Sequence, residues 1–243
     1  MKKTFFIYAA FLSFHILSAQ LNNNKKILIV ATSADNLVSK PEDHTWGCYA
    51  PEISDFYSTL YSYGFRAKDI DIVSPKGGKV PLAVNMHYPK KFNLPDDEKK
   101  ALEEKVNNSL SPSQVKPEDY NVIYYSGGFS CLVDYSKTTD IGAIAASIYN
   151  NGGIVAAVCD GVAGLIPIKV DNSRFLVNTK TITTNGFKNK TDTVTKQLIN
   201  EGAIISDEKI VTDGKLITAR GVMPITVANQ ILSLLGFVID KKE

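Results

Sequence analysis

The stretch that most limits what this chain can fold into is Gly152-Gly153-Ile154-Val155-Ala156-Ala157-Val158-Cys159-Asp160-Gly161-Val162-Ala163-Gly164-Leu165. A short apolar run rich in β-branched residues, set off by two glycines, reads as a buried strand. It ends at a cysteine, and small residues follow at once. Gly161 permits a sharp turn, after which Val162 to Leu165 is expected to begin a helix. Strand, tight turn and helix with a nucleophilic side chain at the turn are the mechanics of a nucleophile elbow. The Cys159 thiol is then expected at the carboxyl end of a central strand. There it would face a helix N-terminus, whose partial positive charge favours a thiolate.

On either side of the elbow the chain alternates between strand and helix patterns. Lys26 to Ala31 is a continuous apolar run, as for a strand covered on both faces. Cys48 to Gly64 reads as a helix with Ile53, Phe56, Tyr57, Leu60 and Tyr61 on one stripe. Asp69 to Val73 is a second strand, Pro95 to about Leu110 a helix opened by acids, and Asn121 to Tyr125 a third strand ending in Ser126-Gly127-Gly128. Thr139 to Asn150 is a helix leading into the Cys159 strand. Further on come a strand over 180–184, a helix over 191–200, a hairpin over 209–218 turned by Asp213-Gly214, and a helix over 224–235. The alternation predicts an α/β fold, a mostly parallel central sheet with helices on both faces. With no linker in view, residues 20–243 are expected to form a single domain. In such sheets the site lies outside the carboxyl ends of the strands, which gathers the loops after Ala31, Tyr125 and Val158.

Residues 1–19 read as a signal peptide. Lys2 and Lys3 precede an apolar core from Phe5 to about Leu17, and Ser18-Ala19 offers a small-residue cleavage site. The apolar run is short for a membrane span, so no stable membrane insertion is expected once it is removed. The mature protein is expected to be secreted or periplasmic. A net charge of +2 gives no basis for a nucleic-acid partner. Three cysteines, Cys48, Cys131 and Cys159, leave at least one thiol unpaired within the chain. Cys48 and Cys131 lie on loops expected to converge at one sheet end. In an oxidising compartment they are candidates for a disulfide, with two isolated thiols as the alternative. His44 and His87 read as lone surface histidines, so no metal is assigned, and no cofactor is expected.

Several stretches, in order, resemble the ThiJ/PfpI superfamily, whose fold is like that of class I glutamine amidotransferases. Thr45-Trp46-Gly47 through Pro51-Glu52 looks like the segment carrying its active-site glutamate. Phe65 to Pro81 is similar to the branch containing glyoxalase III enzymes and stress chaperones. Tyr120 to Gly128, Ala156 to Leu165 and Gly214 to Thr218 match the Gly-Gly turn, the nucleophile elbow and the late hairpin. The resemblance implies a flavodoxin-like sheet and a homodimer. It makes Cys159 the nucleophile and Glu52 the carboxyl group bonded to its sulfur. The Gly127-Gly128 turn and Asp160 would bind substrate, with the Gly128 and Asp160 amides as the oxyanion site. Asp192 falls where the branch keeps the acid that orients its histidine, although Asn189 to Asp192 equally reads as a helix start.

This chain departs from that branch at the histidine. Asp160 stands where histidine usually follows the cysteine, and the family's Gly-Gly-His-Gly turn is Gly127-Gly128-Phe129-Ser130 here. The leading expectation is a cysteine-dependent, glyoxalase III-like activity on small reactive aldehydes such as methylglyoxal. The alternatives are a non-catalytic stress, redox or chaperone-like protein, and a cysteine hydrolase or hydratase using aspartate in place of histidine.

Overall fold

The structure, a computed structural model, describes residues 26–35, 46–171, 173–188 and 192–239. The signal peptide expected over 1–19 and His44 lie outside them. The main sheet has six strands: β1 (Lys26–Val30), β2 (Ile70–Val73), β3 (Tyr120–Tyr125), β4 (Ile154–Val158), β9 (Ile210–Asp213) and β10 (Leu216–Ala219). Their spatial order is β2-β1-β3-β4-β10-β9, with every neighbouring pair parallel except the β9–β10 hairpin at the edge.

Period-two alternation sends side chains of each strand into two separate cores. Leu28, Val30, Ile123, Tyr125, Val155 and Ala157 face one side, where α4 (Thr139–Asn150) packs Ile141, Ile144 and Ile148 against them. Ile27, Ile29, Val122, Tyr124, Ile154 and Ala156 face the other. That side is covered by α1 (Pro51–Ser62), α2 (Asp96–Asn107) and α6 (Pro224–Leu234). The predicted doubly covered parallel sheet is therefore found. Phe56 of α1 stacks on Tyr124 with ring centroids 3.8 Å apart, and the Tyr124 hydroxyl donates to the Glu52 carbonyl at 3.0 Å. A buried aromatic pair contributes on the order of 1 kcal/mol beyond its area. Here it also fixes where the first turn of α1 lies over the sheet.

Two local expectations are corrected. Residues Cys159–Leu165 form a 3-10 segment instead of an α-helix. The small residues that read as helix-compatible are there for close packing: a Cβ at Gly164 would fall inside the Tyr125 ring. The strand expected over 180–184 is only β7 (Thr181–Ile182), paired in parallel with β8 (Ile204–Ile205) outside the main sheet. A two-residue antiparallel pair, β5 (Lys169–Val170) with β6 (Arg174–Phe175), was not expected from the sequence. Two further helices sit near the carboxyl end of the sheet, the short α3 (Cys131–Asp134) and α5 (Thr193–Asn200). Among the described residues, no helix is long and apolar enough to cross a membrane.

Candidate active site

The loops leaving β3 and β4 meet at Cys159. This residue has φ 55°, in the left-handed region that a side chain other than glycine seldom adopts. Such a conformation costs about 1–3 kcal/mol and persists only where the surroundings enforce it. They do so here by close approach. A Cβ on Gly161 would lie 2.5 Å from the Tyr125 carbonyl oxygen, and one on Gly127 would lie 2.8 Å from both Cys159 Cβ and Glu52 Oε2. The turn expected at Gly161 is thus made by Cys159 itself, and Gly161 is small because it packs on the end of β3.

Glu52 occupies the first turn of α1 and is fully buried. Its Oε2 accepts the Gly127 amide at 2.5 Å, while Oε1 is buried with no partner among the described residues. Burial pushes its carboxyl group above the ordinary range, and the Gly127 hydrogen bond only partly opposes this. Glu52 packs against the same turn as Cys159: a Cβ on Gly127 would meet both Glu52 Oε2 and Cys159 Cβ. The Gly127 amide is committed to Glu52, so it positions the carboxyl group. Gly128, at φ 114°, packs on the Gly47 carbonyl and the Tyr49 amide.

The half-buried thiol is not the thiolate that a helix N-terminus would favour. Desolvation, then the Glu52 and Asp160 charges, raise the Cys159 pKa, and the hydrogen bonds from Asn185 and the Asp160 amide do not offset them. The segment after the elbow is a 3-10 helix over Cys159–Leu165 in place of the α-helix expected to favour a thiolate.

On the opposite side of the sulfur the groups are polar and more open. Asp160 Oδ2 accepts from the thiol at 3.9 Å, and its pKa is raised by burial. Asn185 Nδ2 donates to Asp160 Oδ1 at 3.0 Å and to Cys159 Sγ at 3.5 Å. Asn185 had no signal in the sequence, because an asparagine before a glycine reads as an ordinary turn. A cavity of about 770 Å³ opens here, lined by Leu132, Asp160, Val162, Asn185 and Asp192 among others. Asp192 is present but not in the expected role. It caps α5, accepting the Thr195 amide at 2.9 Å, and among the described residues no histidine lies beside it to orient. His87, the only histidine among the described residues, is exposed and close enough to Asp55 to act on its charge.

The disulfide expectation is also corrected. Cys48 and Cys131 are buried free thiols that converge on Ser126: Cys48 Sγ lies 3.1 Å from Ser126 Oγ, and Cys131 donates to the Ser126 carbonyl at 3.4 Å. Burial drives the Cys48 thiol up to about 12. At the mouth of the turn, Phe129 is 56% exposed and leans on Trp46 with centroids 5.9 Å apart, where the resembling branch has an imidazole. Among the described residues, no group of His, Cys, Asp and Glu is arranged to hold a metal ion.

Comparison with known proteins gives a consistent answer. The model of the DJ-1/PfpI family matches residues 69–234. A Saccharomyces cerevisiae protein described as a probable glutathione-independent glyoxalase, HSP32, is 31% identical over 225 residues, covering 80% of this chain and 90% of that one. The glutathione-independent glyoxalase HSP31 of the same yeast is 33% identical over 180 residues, 70% and 71% of the two chains. The solved structure of glyoxalase III from Candida albicans superposes with a TM-score of 0.67 at 22% identity, covering 87% of this chain and 97% of the other.

Proposed function

The chain belongs to the DJ-1/PfpI family, and from that premise we propose that it is a glutathione-independent glyoxalase acting on small reactive aldehydes, with Cys159 as nucleophile. The observation that carries this reading is the contact set of Cys159. Its left-handed elbow sets the sulfur beside Asp160 and Asn185, while Glu52 packs against the same turn through Gly127. In this reading the thiol proton passes to Asp160 Oδ2, and the sulfur electron pair forms a bond to the aldehyde carbon of methylglyoxal. The carbonyl π pair moves onto oxygen, which faces the Gly128 and Asp160 amides and takes the proton back. Asp160 next takes the hydrogen of that carbon as a proton, and the C–H pair forms an enediol as that proton goes to the ketone oxygen. It then moves the hemithioacetal hydroxyl proton to the neighbouring carbon, which gives the thioester of the 2-hydroxy acid. Water cleaves the thioester, releasing lactate and returning the thiol. The balance is one methylglyoxal and one water to one lactic acid.

A carboxylate replaces imidazole as the proton carrier, and the raised pKa of Asp160 brings it closer to the operating pH. Export of the mature chain is part of the same reading, supported by the Lys2-Lys3 leader and the apolar run behind it.

The test is lactate formation from methylglyoxal without added glutathione. Cys159→Ala is expected to abolish it, and Asp160→Asn to lower it about 100-fold. A second reading, a carbonyl-binding or stress protein without turnover, is favoured by the raised thiol and the absent imidazole. Wild-type protein that makes no lactate establishes that second reading against the first.

A further inference from the structure

The amide of Asn185 has only one orientation available. Its Oδ1 accepts the Gly221 backbone amide at 2.9 Å, and because that N–H can only donate, the carbonyl oxygen must face it. Nδ2 is thereby turned toward the site, 3.0 Å from Asp160 Oδ1 and 3.5 Å from Cys159 Sγ. The second oxygen of Asp160 faces the same sulfur at 3.9 Å. Thiol, carboxylate and amide form a closed triangle anchored to the backbone beyond β10. We infer that Asn185 is the third member of the site, a positioning residue that aims the Asp160 carboxylate at the thiol and steadies the thiolate once the proton has moved.

An amide cannot take the thiol proton in this arrangement, since its nitrogen lone pair is delocalised and its oxygen is turned to the Gly221 amide. Its contribution is to hold Asp160 Oδ1, which leaves Oδ2 as the oxygen that takes the proton from sulfur. When the proton transfers, the sulfur becomes a stronger acceptor and the Nδ2–H contact strengthens with it. The groups facing the pair are Glu52 from α1, the Asp160 amide from the elbow, and Asp192, whose charge acts on Asp160 from the start of α5. Asn185 is the neutral side-chain donor among these groups, and its hydrogen bonds lower both the thiol and the carboxyl pKa.

The role rests on Cys159 being the working thiol, and the experiment separates it from turnover. Asn185→Leu removes both donors at similar size, and Asn185→Asp keeps the acceptor for Gly221 while placing a second carboxyl group against Asp160. The pH midpoint of Cys159 alkylation, blanked with Cys159→Ala, is expected to rise by about one unit in Asn185→Leu and further in Asn185→Asp. In the lactate assay kcat is expected to fall about 10–100-fold with KM little changed. Asn185 is exposed, so melting curves near wild type are expected to confirm an intact fold. Midpoints equal to wild type in both variants overturn the inference. If wild-type protein makes no lactate, the glyoxalase reading fails alone and raised midpoints still uphold the role of Asn185.

Discussion

The two sides of the Cys159 sulfur are built on opposite plans. On the Glu52 side the acid is fully buried, its oxygen is taken by the Gly127 amide, and the Gly127 Cα lies against Cys159 with no room for a methyl group. On the Asp160 side, Asn185 and Asp160 bond each other in the lining of a cavity of about 770 Å³. The sealed side fixes where the nucleophile is, and the open side determines what can be done with it. A position held by backbone approach tolerates no change, whereas one held by side-chain hydrogen bonds tolerates several.

The largest effect is expected where the sealed side is broken. Gly127→Ala sets a Cβ within 3 Å of Cys159, Glu52 and the Asp160 amide, and neither the elbow nor the first turn of α1 can retreat easily. A loss of about 2–3 kcal/mol in urea unfolding is expected. Unchanged stability would show that the contact relaxes freely and that the two sides do not differ in kind.

A smaller effect separates burial from contact at Glu52. Its folded pKa is raised, so the folded state holds a proton that the unfolded chain has already lost. Stability is therefore greatest below the ordinary carboxylate range and falls as pH rises toward the higher folded value. Glu52→Gln should remove that fall, which is on the order of 1–2 kcal/mol, when melting is followed across the interval. A wild-type profile as flat as the variant would place the acid in contact with solvent.

The smallest effect sharpens the open side. Asp192→Ala should cost about 1 kcal/mol through loss of the α5 cap. The Cys159 alkylation midpoint should move less than in Asn185→Leu. A larger movement would return Asp192 to the site.

Much of the sealed side was legible in the sequence. Apolar runs such as Ile27-Leu28-Ile29-Val30 and Ile154 to Val158 have one good solution, a strand covered on both faces, and a cysteine ending the latter has one good position. Glu52 was found through family resemblance, since an acid in a helical first turn is otherwise unremarked. The open side was less legible because its contacts join distant residues through side chains. Asn185 reaches Asp160 from 25 positions away, and Gly221 reaches Asn185 from 36. Neither spacing has a periodicity to read. The Cys48–Cys131 pairing failed for a related reason. Convergence of the two loops was correctly anticipated, but Ser126 lies at their meeting point and engages both sulfurs.

The strained conformation of Cys159 has a consequence for redesign. Because the backbone of the elbow is held by the close approach of β3, Gly127 and Gly161 to it, the nucleophile behaves as a fixed mount on which the Asp160 and Asn185 side chains are fittings. A combinatorial library over Phe129, Leu132, Asp160 and Asn185, screened against carbonyl, ester and thioester substrates, could vary the chemistry while leaving the residues that determine folding untouched.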